Sequence, residues 1–192
     1  MISARKRGTE RGLASPSPTE AAAISTLTAA VQAKAVVEVG TCVGVTGLQI
    51  LGSMPADGVL TSIDADANHH TAAKEAFAEA GIDAGRARLI TGQAAEVLPR
   101  LADAAYDLVV INDIGTNPAS YLTQSLRLLR QGGALIIEGA LGNNGAVADP
   151  SNREAHTVAL RELADAVKLN ESLVSVLLPL GDGLLIAVKH GS

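Results

Sequence analysis

Glu38-Val39-Gly40-Thr41-Cys42-Val43-Gly44-Val45-Thr46-Gly47 is the stretch that decides the fold. It follows the apolar run Ala35-Val36-Val37 and precedes Leu48-Gln49-Ile50-Leu51, which reads as helix. Strand, glycine-rich turn and helix in that order form a nucleotide-binding corner. Glycines let the backbone turn tightly and approach a ligand with no Cβ in the way. Asp64 closes the next apolar run, Val59-Leu60-Thr61-Ser62-Ile63. It lies about 20 residues past the glycines, the separation at which an acid meets a ribose hydroxyl. Order and spacing point to a ligand with an adenosine end. The spacing Gly40-x-x-x-Gly44-x-x-Gly47 departs from the dinucleotide pattern Gly-x-Gly-x-x-Gly, which disfavours NAD and an oxidoreductase.

On either side of this corner, apolar runs alternate with helical patterns. The pattern predicts strands at 35–41, 59–65, 87–91, 107–112 and 134–138, with helices near 18–32, 45–53, 68–80, 94–102 and 118–130. Runs such as Leu108-Val109-Val110-Ile111 are those of strands buried on both faces. Regular alternation implies a parallel sheet wrapped by helices. Ser15-Pro16-Ser17-Pro18 is a break, with Ser17 or Thr19 available to cap the helix that follows. The tail changes rhythm. A helix over about 151–169 leads into Leu173-Val174-Ser175-Val176-Leu177-Leu178, then Pro179-Leu180-Gly181-Asp182-Gly183, then Leu184-Leu185-Ile186-Ala187-Val188. Two strands joined by a short glycine-rich turn make a hairpin, so the last strand is expected to be antiparallel. Residues 1–192 read as one domain, with 1–16 a basic segment that is mobile or loosely helical.

Composition narrows the functional classes. The 192 residues are 47% apolar and 18% charged, with a formal net charge of −5. That balance argues against a nucleic-acid partner held by basic charge. No apolar run reaches the roughly 18 residues of a membrane span. The basic residues Arg5, Lys6, Arg7 and Arg11 lack an apolar signal core behind them, so a cytoplasmic protein is expected. Cys42, the single cysteine, excludes an internal disulfide and reads as a space-filling residue. With Phe77, Tyr106 and Tyr121 as the only aromatics, the chain barely has the residues for an aromatic-lined pocket.

The corner, Asp64 and the tail together resemble the S-adenosylmethionine-dependent O-methyltransferases of the catechol and caffeoyl-CoA type, in a bacterial, actinobacterial-type branch. The resemblance runs from Ser17-Pro18 to Lys189. It is carried by Val37-Glu38-Val39-Gly40-Thr41 with Gly44 and Thr46, by Thr61-Ser62-Ile63-Asp64-Ala65-Asp66, and by Tyr106-Asp107-Leu108-Val109-Val110-Ile111. Leu126-Arg127-Leu128-Leu129-Arg130-Gln131-Gly132-Gly133 and Leu178-Pro179-Leu180-Gly181-Asp182-Gly183-Leu184 complete it. It implies a class I methyltransferase fold: a Rossmann-like α/β sheet of seven strands, mostly parallel, with helices on both faces and a C-terminal antiparallel hairpin. It also implies S-adenosyl-L-methionine as cofactor, a small-molecule hydroxyl as acceptor, and a homodimer. Glu38 and Thr46 would hold the methionine end. Gly40, Thr41 and Gly44 would allow close approach, Asp64 with Ala65 would take the ribose, and Ala94 would lie by the adenine.

At the acceptor side the chain departs from the family pattern. The resemblance places Mg²⁺ ligands at an Asp ending the fourth strand and an Asp-Asn pair ending the fifth. Asn112, Glu138 and Gly139 stand there, Gly115 stands where a Lys is expected, and Ile114 replaces a further Asp. Asp113 is adjacent, but neighbouring strand residues face opposite ways. The expectation is therefore transfer without the usual metal, with Asn112 and Asp113 against substrate and no catalytic residue assigned. A non-catalytic, regulatory S-adenosylmethionine-binding protein is the alternative. His69 and His70 read as surface residues, and His156 as part of a solvated helix face. Asn143-Asn144-Gly145 reads as a loop bordering the pocket.

Overall fold

The computed structural model describes residues 2–13, 15–114 and 118–191. Helix α1 (Ile2–Glu10) and helix α2 (Pro18–Ala30) precede strand β1 (Ala35–Val39). Then come α3 (Val45–Ser53), β2 (Val59–Asp64), α4 (Ala67–Glu79), β3 (Ala87–Thr91), α5 (Ala94–Val97) and β4 (Tyr106–Ile111). The chain ends with α6 (Pro118–Leu128), β5 (Leu129–Glu138), α7 (Ala155–Leu169), β6 (Leu173–Leu178) and β7 (Leu184–Lys189). The seven strands form one sheet in the order β3-β2-β1-β4-β5-β7-β6. The first five run parallel, and β7 is antiparallel to both of its neighbours. The expected mostly parallel sheet with a C-terminal hairpin is what forms.

Alternation along each central strand explains the two cores. Val37, Val39, Val109, Ile111, Leu135 and Ile137 share one face with apolar residues of α5, α6 and α7. Val36, Leu108, Val110, Ala134 and Ile136 share the other with residues of α2, α3 and α4. Period-two projection puts neighbours on opposite sides, so a strand apolar at every position feeds both cores. Because β1 leads outward to β2 and β3 while β4 returns on its other side, the strand order reverses between β1 and β4. That switch point opens a crevice at the carboxyl ends of the strands, where ligands of such sheets bind.

Three local features differ from the sequence expectation. The segment read as mobile or loosely helical is helix α1. Its Ala4 is buried, and its Arg7 bonds both carboxylate oxygens of Glu79 on α4 at 2.8 and 3.2 Å. Arg5 donates to the carbonyl of Pro16. Helix α7 begins at Ala155 rather than near 151, because Asp149 and Asn152 each accept a hydrogen bond from the backbone two residues on. Such side-chain turns compete with helix. Strand β5 begins at Leu129, ahead of the expected 134, through a register shift between Tyr106 and Leu108 on its partner. The cap at α2 is Ser17, in a reciprocal box with Glu20: the Ser17 N–H donates to the Glu20 carboxylate at 2.7 Å, and the Glu20 N–H donates to the Ser17 hydroxyl at 3.3 Å. No helix among the described residues is long and apolar enough to cross a membrane.

Candidate active site

The crevice contains a cavity of about 260 Å³. Thr41, Cys42 and Val43 line it from the turn after β1, with Val45 and Thr46 from the first turn of α3. Asn112, Asp113 and Ile114 follow β4, while Glu138, Gly139, Gly142 and Asn143 follow β5. Ser15, Pro16 and Glu20 close it from the amino-terminal side, His156 and Leu160 from α7, and Asp182 from the β6–β7 hairpin.

The turn after β1 takes its shape from close packing. Gly40 has φ +88°, and a Cβ there would stand 3.1 Å from the Asp113 backbone nitrogen. Gly44 has φ +79° and would press a Cβ onto Ala73 and Phe77 of α4 at 3.0–3.1 Å. Both therefore require glycine for conformation and for space. The crowding atoms belong to the protein, so these glycines bring loop and helix together and leave the cavity wall to the intervening residues. Cys42 sits between them with φ +47°, and burial pushes its thiol up to about 12, with the carboxylates of Glu38 and Asp64 adding to the effect. Such a thiol stays protonated and inert near neutral pH, in keeping with a space-filling role.

Beneath the turn lies a buried polar network. Glu38 is completely buried and does not line the cavity. Ser62, its partner in the β1–β2 register, donates to it at 2.5 Å, and the Asn112 amide donates at 3.1 Å. Thr41 and Ser62 share a hydroxyl bond of 2.6 Å. Burial raises the Glu38 carboxyl to about 8 against the opposing pull of the Ser62 bond. Asn112 Nδ2 also donates to the Gly40 carbonyl at 2.9 Å, which fixes the amide orientation. Its Oδ1 is buried with no hydrogen-bond partner among the described residues.

Asp64 ends β2 against the same turn. Its Oδ2 accepts from the Cys42 N–H at 3.1 Å and lies 2.9 Å from His69 Nδ1, while Oδ1 accepts from the Asp66 N–H at 2.9 Å. Ala65 is exposed beside it. Ala94 is buried at the start of α5 and faces the core. Asp64, Ala65 and Ala94, expected at the cofactor, are not among the residues that line the cavity. Thr46 donates to Glu138 at 3.0 Å. Burial pushes the Glu138 carboxyl up to about 7, with Thr46 pulling it down and Glu20 raising it. Asp113 is exposed on the cavity wall. Gly115 lies outside the described residues. Among the described residues, no three His, Cys, Asp or Glu side chains converge as a metal ion requires.

The histidines correct the surface reading. His70 is 5% exposed and lies 3.0 Å from the Thr91 hydroxyl, with burial holding its pKa below the usual imidazole value. His69 turns the opposite way, onto Asp64. The motifs also passed over Ser62, Glu20 and Asp182. Ser62 had a signal, a small hydroxyl residue in an apolar strand, and it pairs directly with Glu38 in the β1–β2 register. Glu20 and Asp182 reach the site only through tertiary packing.

A model of the family described as O-methyltransferase matches residues 7–190. The chain belongs to this family. A Mycobacterium sp. (strain KMS) protein named "Putative O-methyltransferase" is 46% identical over 190 residues, covering 98% of this chain and 86% of that protein. A Corynebacterium glutamicum crystal structure superposes with TM-score 0.92 at 29% identity, covering 100% of this chain and 89% of that one. The fold is shared as well with the O-methyltransferase TomG of Streptomyces achromogenes, solved in complex with SAM. There the TM-score is 0.89 at 24% identity, over 99% of this chain and 89% of that one. The family and the fold implied by the sequence resemblance are those found, and the family's activity is methyl transfer.

Proposed function

We propose that this family member transfers a methyl group from S-adenosyl-L-methionine to a hydroxyl of a small molecule, and does so without a divalent metal. The observation that carries the reading is the set of open valences at the switch point. Asp64 is held against the turn with acceptor capacity to spare for a ribose diol, since a carboxylate offers about four lone-pair sites. Asn112 Oδ1 is a buried acceptor awaiting a donor, and an ammonium such as that of a methionine end fits it. Thr41 and Thr46 bring hydroxyls to the lining, and Gly40 and Gly44 set the shape of the turn that presents Thr41. Glu38 acts from below, through Asn112 and Ser62.

The cofactor, when bound, supplies a sulfonium methyl, so the protein's task is to align an acceptor oxygen with it. Glu138 lines the cavity, accepts from Thr46, and is pushed up to about 7 by burial, which suits a group that takes the acceptor's proton. A hard divalent ion wants several oxygen ligands, and Gly139 offers no side chain. Among the described lining residues, four carry carboxyl groups (Glu20, Asp113, Glu138 and Asp182) and none is Lys or Arg, which favours a neutral or cationic acceptor. A cytoplasmic location and a homodimer are part of the same proposal. The decisive assay follows labelled methyl from S-adenosylmethionine into a panel of phenols, catechols and hydroxyamines, with and without chelator. Turnover that survives the chelator supports the reading. Turnover that vanishes and returns with Mg²⁺ contradicts its metal-free half. Cofactor binding with no turnover on any acceptor favours the regulatory alternative.

A further inference from the structure

Asp64 has three protein donors among the described residues, and only one is a side chain. Cys42 and Asp66 give backbone N–H groups. His69 gives its ring, with Nδ1 2.9 Å from Oδ2. An ionised carboxylate only accepts, so Nδ1 carries the proton. The arrangement follows from how α4 starts. Asp66 caps the helix by accepting the Asn68 N–H at 2.8 Å, and the first turn then directs His69 back onto the end of β2. Its Nε2 stands 3.9 Å from Asp66 Oδ2, so the ring is flanked by two carboxylates. Its outer side borders a shallow surface depression with Arg11, Leu13 and Thr71. The ring is thus not a core filler, and its short contact is with Asp64.

Building on the assignment of Asp64 to the ribose, we propose that His69 is a positioning residue for cofactor recognition. It donates to Asp64 Oδ2 and, with the Cys42 N–H on the same oxygen and the Asp66 N–H on Oδ1, holds the carboxylate plane against rotation and leaves the open side of Oδ1 to the diol. The Cys42 N–H alone binds Oδ2 at 3.1 Å and leaves that rotation softer. His69 touches neither cofactor nor acceptor in this role.

The test is calorimetry with S-adenosylhomocysteine on the full chain, for wild type, H69A, D64N and the double variant D64N/H69A, with H69N and H69Q as reporters. Asn places an N–H near where Nδ1 stands and Gln does not, so H69N restores what H69A loses. H69A is expected to weaken binding about tenfold, the scale of one charge-assisted hydrogen bond. In the D64N background the same change is expected to do nothing further, because the two residues act as one unit. The proposal is overturned if H69A binds like wild type, or if its loss is as large without Asp64 as with it. If H69A does not fold, H69N against H69Q decides: equal affinities overturn the role. If wild type itself fails to bind, the methyltransferase reading falls first and this role with it. Wild-type binding with an unaffected H69A removes this role alone.

Discussion

The two halves of the crevice are built differently. At the β1–β2 end the polar side chains beneath the turn are paired with one another. Asp64 is bonded by Cys42, Asp66 and His69, and Glu38, Ser62 and Thr41 form a closed chain of hydrogen bonds. At the β4–β5 end the wall is looser. Asp113 is exposed, Glu138 has Thr46 as its one hydrogen-bond partner among the described residues, and Gly139 has no side chain. A satisfied network resists change, because leaving one buried partner unpaired costs about 1–3 kcal/mol. On the proposed reading, the contrast teaches that one half is fixed to a constant ligand, the adenosyl end. The other half is free to vary with the acceptor.

That division is open to direct attack. The largest effect is expected from D64A, which on the proposed reading removes the acceptor for two ribose hydroxyls. S-adenosylhomocysteine affinity, read by calorimetry, is expected to drop about a hundredfold, the product of two lost hydrogen bonds to a charged group. A variant that binds normally would erase the distinction between the halves. E138Q probes the other side. Turnover is expected to fall about a hundredfold, the low end for a lost proton acceptor, while calorimetric affinity for S-adenosylhomocysteine holds. A parallel loss of affinity would move Glu138 into the cofactor half.

The third effect is smaller and concerns stability. Glu38 and Glu138 are raised from 4.5 to about 8 and about 7 on folding. Between those values the folded state holds more protons than the unfolded one, so stability falls as pH rises from about 4.5 to about 8. Melting temperature, scanned from pH 5 to 8.5, is expected to decline, and E38Q is expected to decline less steeply. Equal slopes would place the proton uptake elsewhere. The smallest effect is on acceptor choice. A catechol with an ammonium arm is expected to be methylated about tenfold more efficiently than one with a carboxylate arm, because a single charge contact at partial screening is of that order. The reverse preference would mean that the four lining carboxylates do not set the field.

The fold was legible where the sequence repeats a simple physical rule. Val36, Val37 and Val39 around Glu38, and Leu108–Ile111 without a break, are apolar, and both faces are buried. The hairpin announced itself through Gly181-Asp182-Gly183. Element edges were less legible, because Asp149 and Asn152 divert the backbone into side-chain turns before α7. The acid at 64 and the turn at 40–44 were legible as local spacing. Their surroundings were not. His69 meets Asp64 because Asp66 sets the start of α4, and Glu20 and Asp182 arrive at the cavity from opposite ends of the chain. The glycines were legible as glycines, but the atoms that crowd Gly40 and Gly44 lie 73 and 29 residues further on, at Asp113 and Ala73. Pairings of that range are decided by the fold and leave no local pattern.

The most direct test of the central claim is a crystal structure of the protein grown with S-adenosylhomocysteine. The account predicts both ribose hydroxyls within hydrogen-bond distance of the Asp64 carboxylate, with the homocysteine end running past Thr41 toward Asn112 and Thr46. Density for the ligand away from the β1–β2 edge, or a ribose that turns its hydroxyls from Asp64, would contradict it.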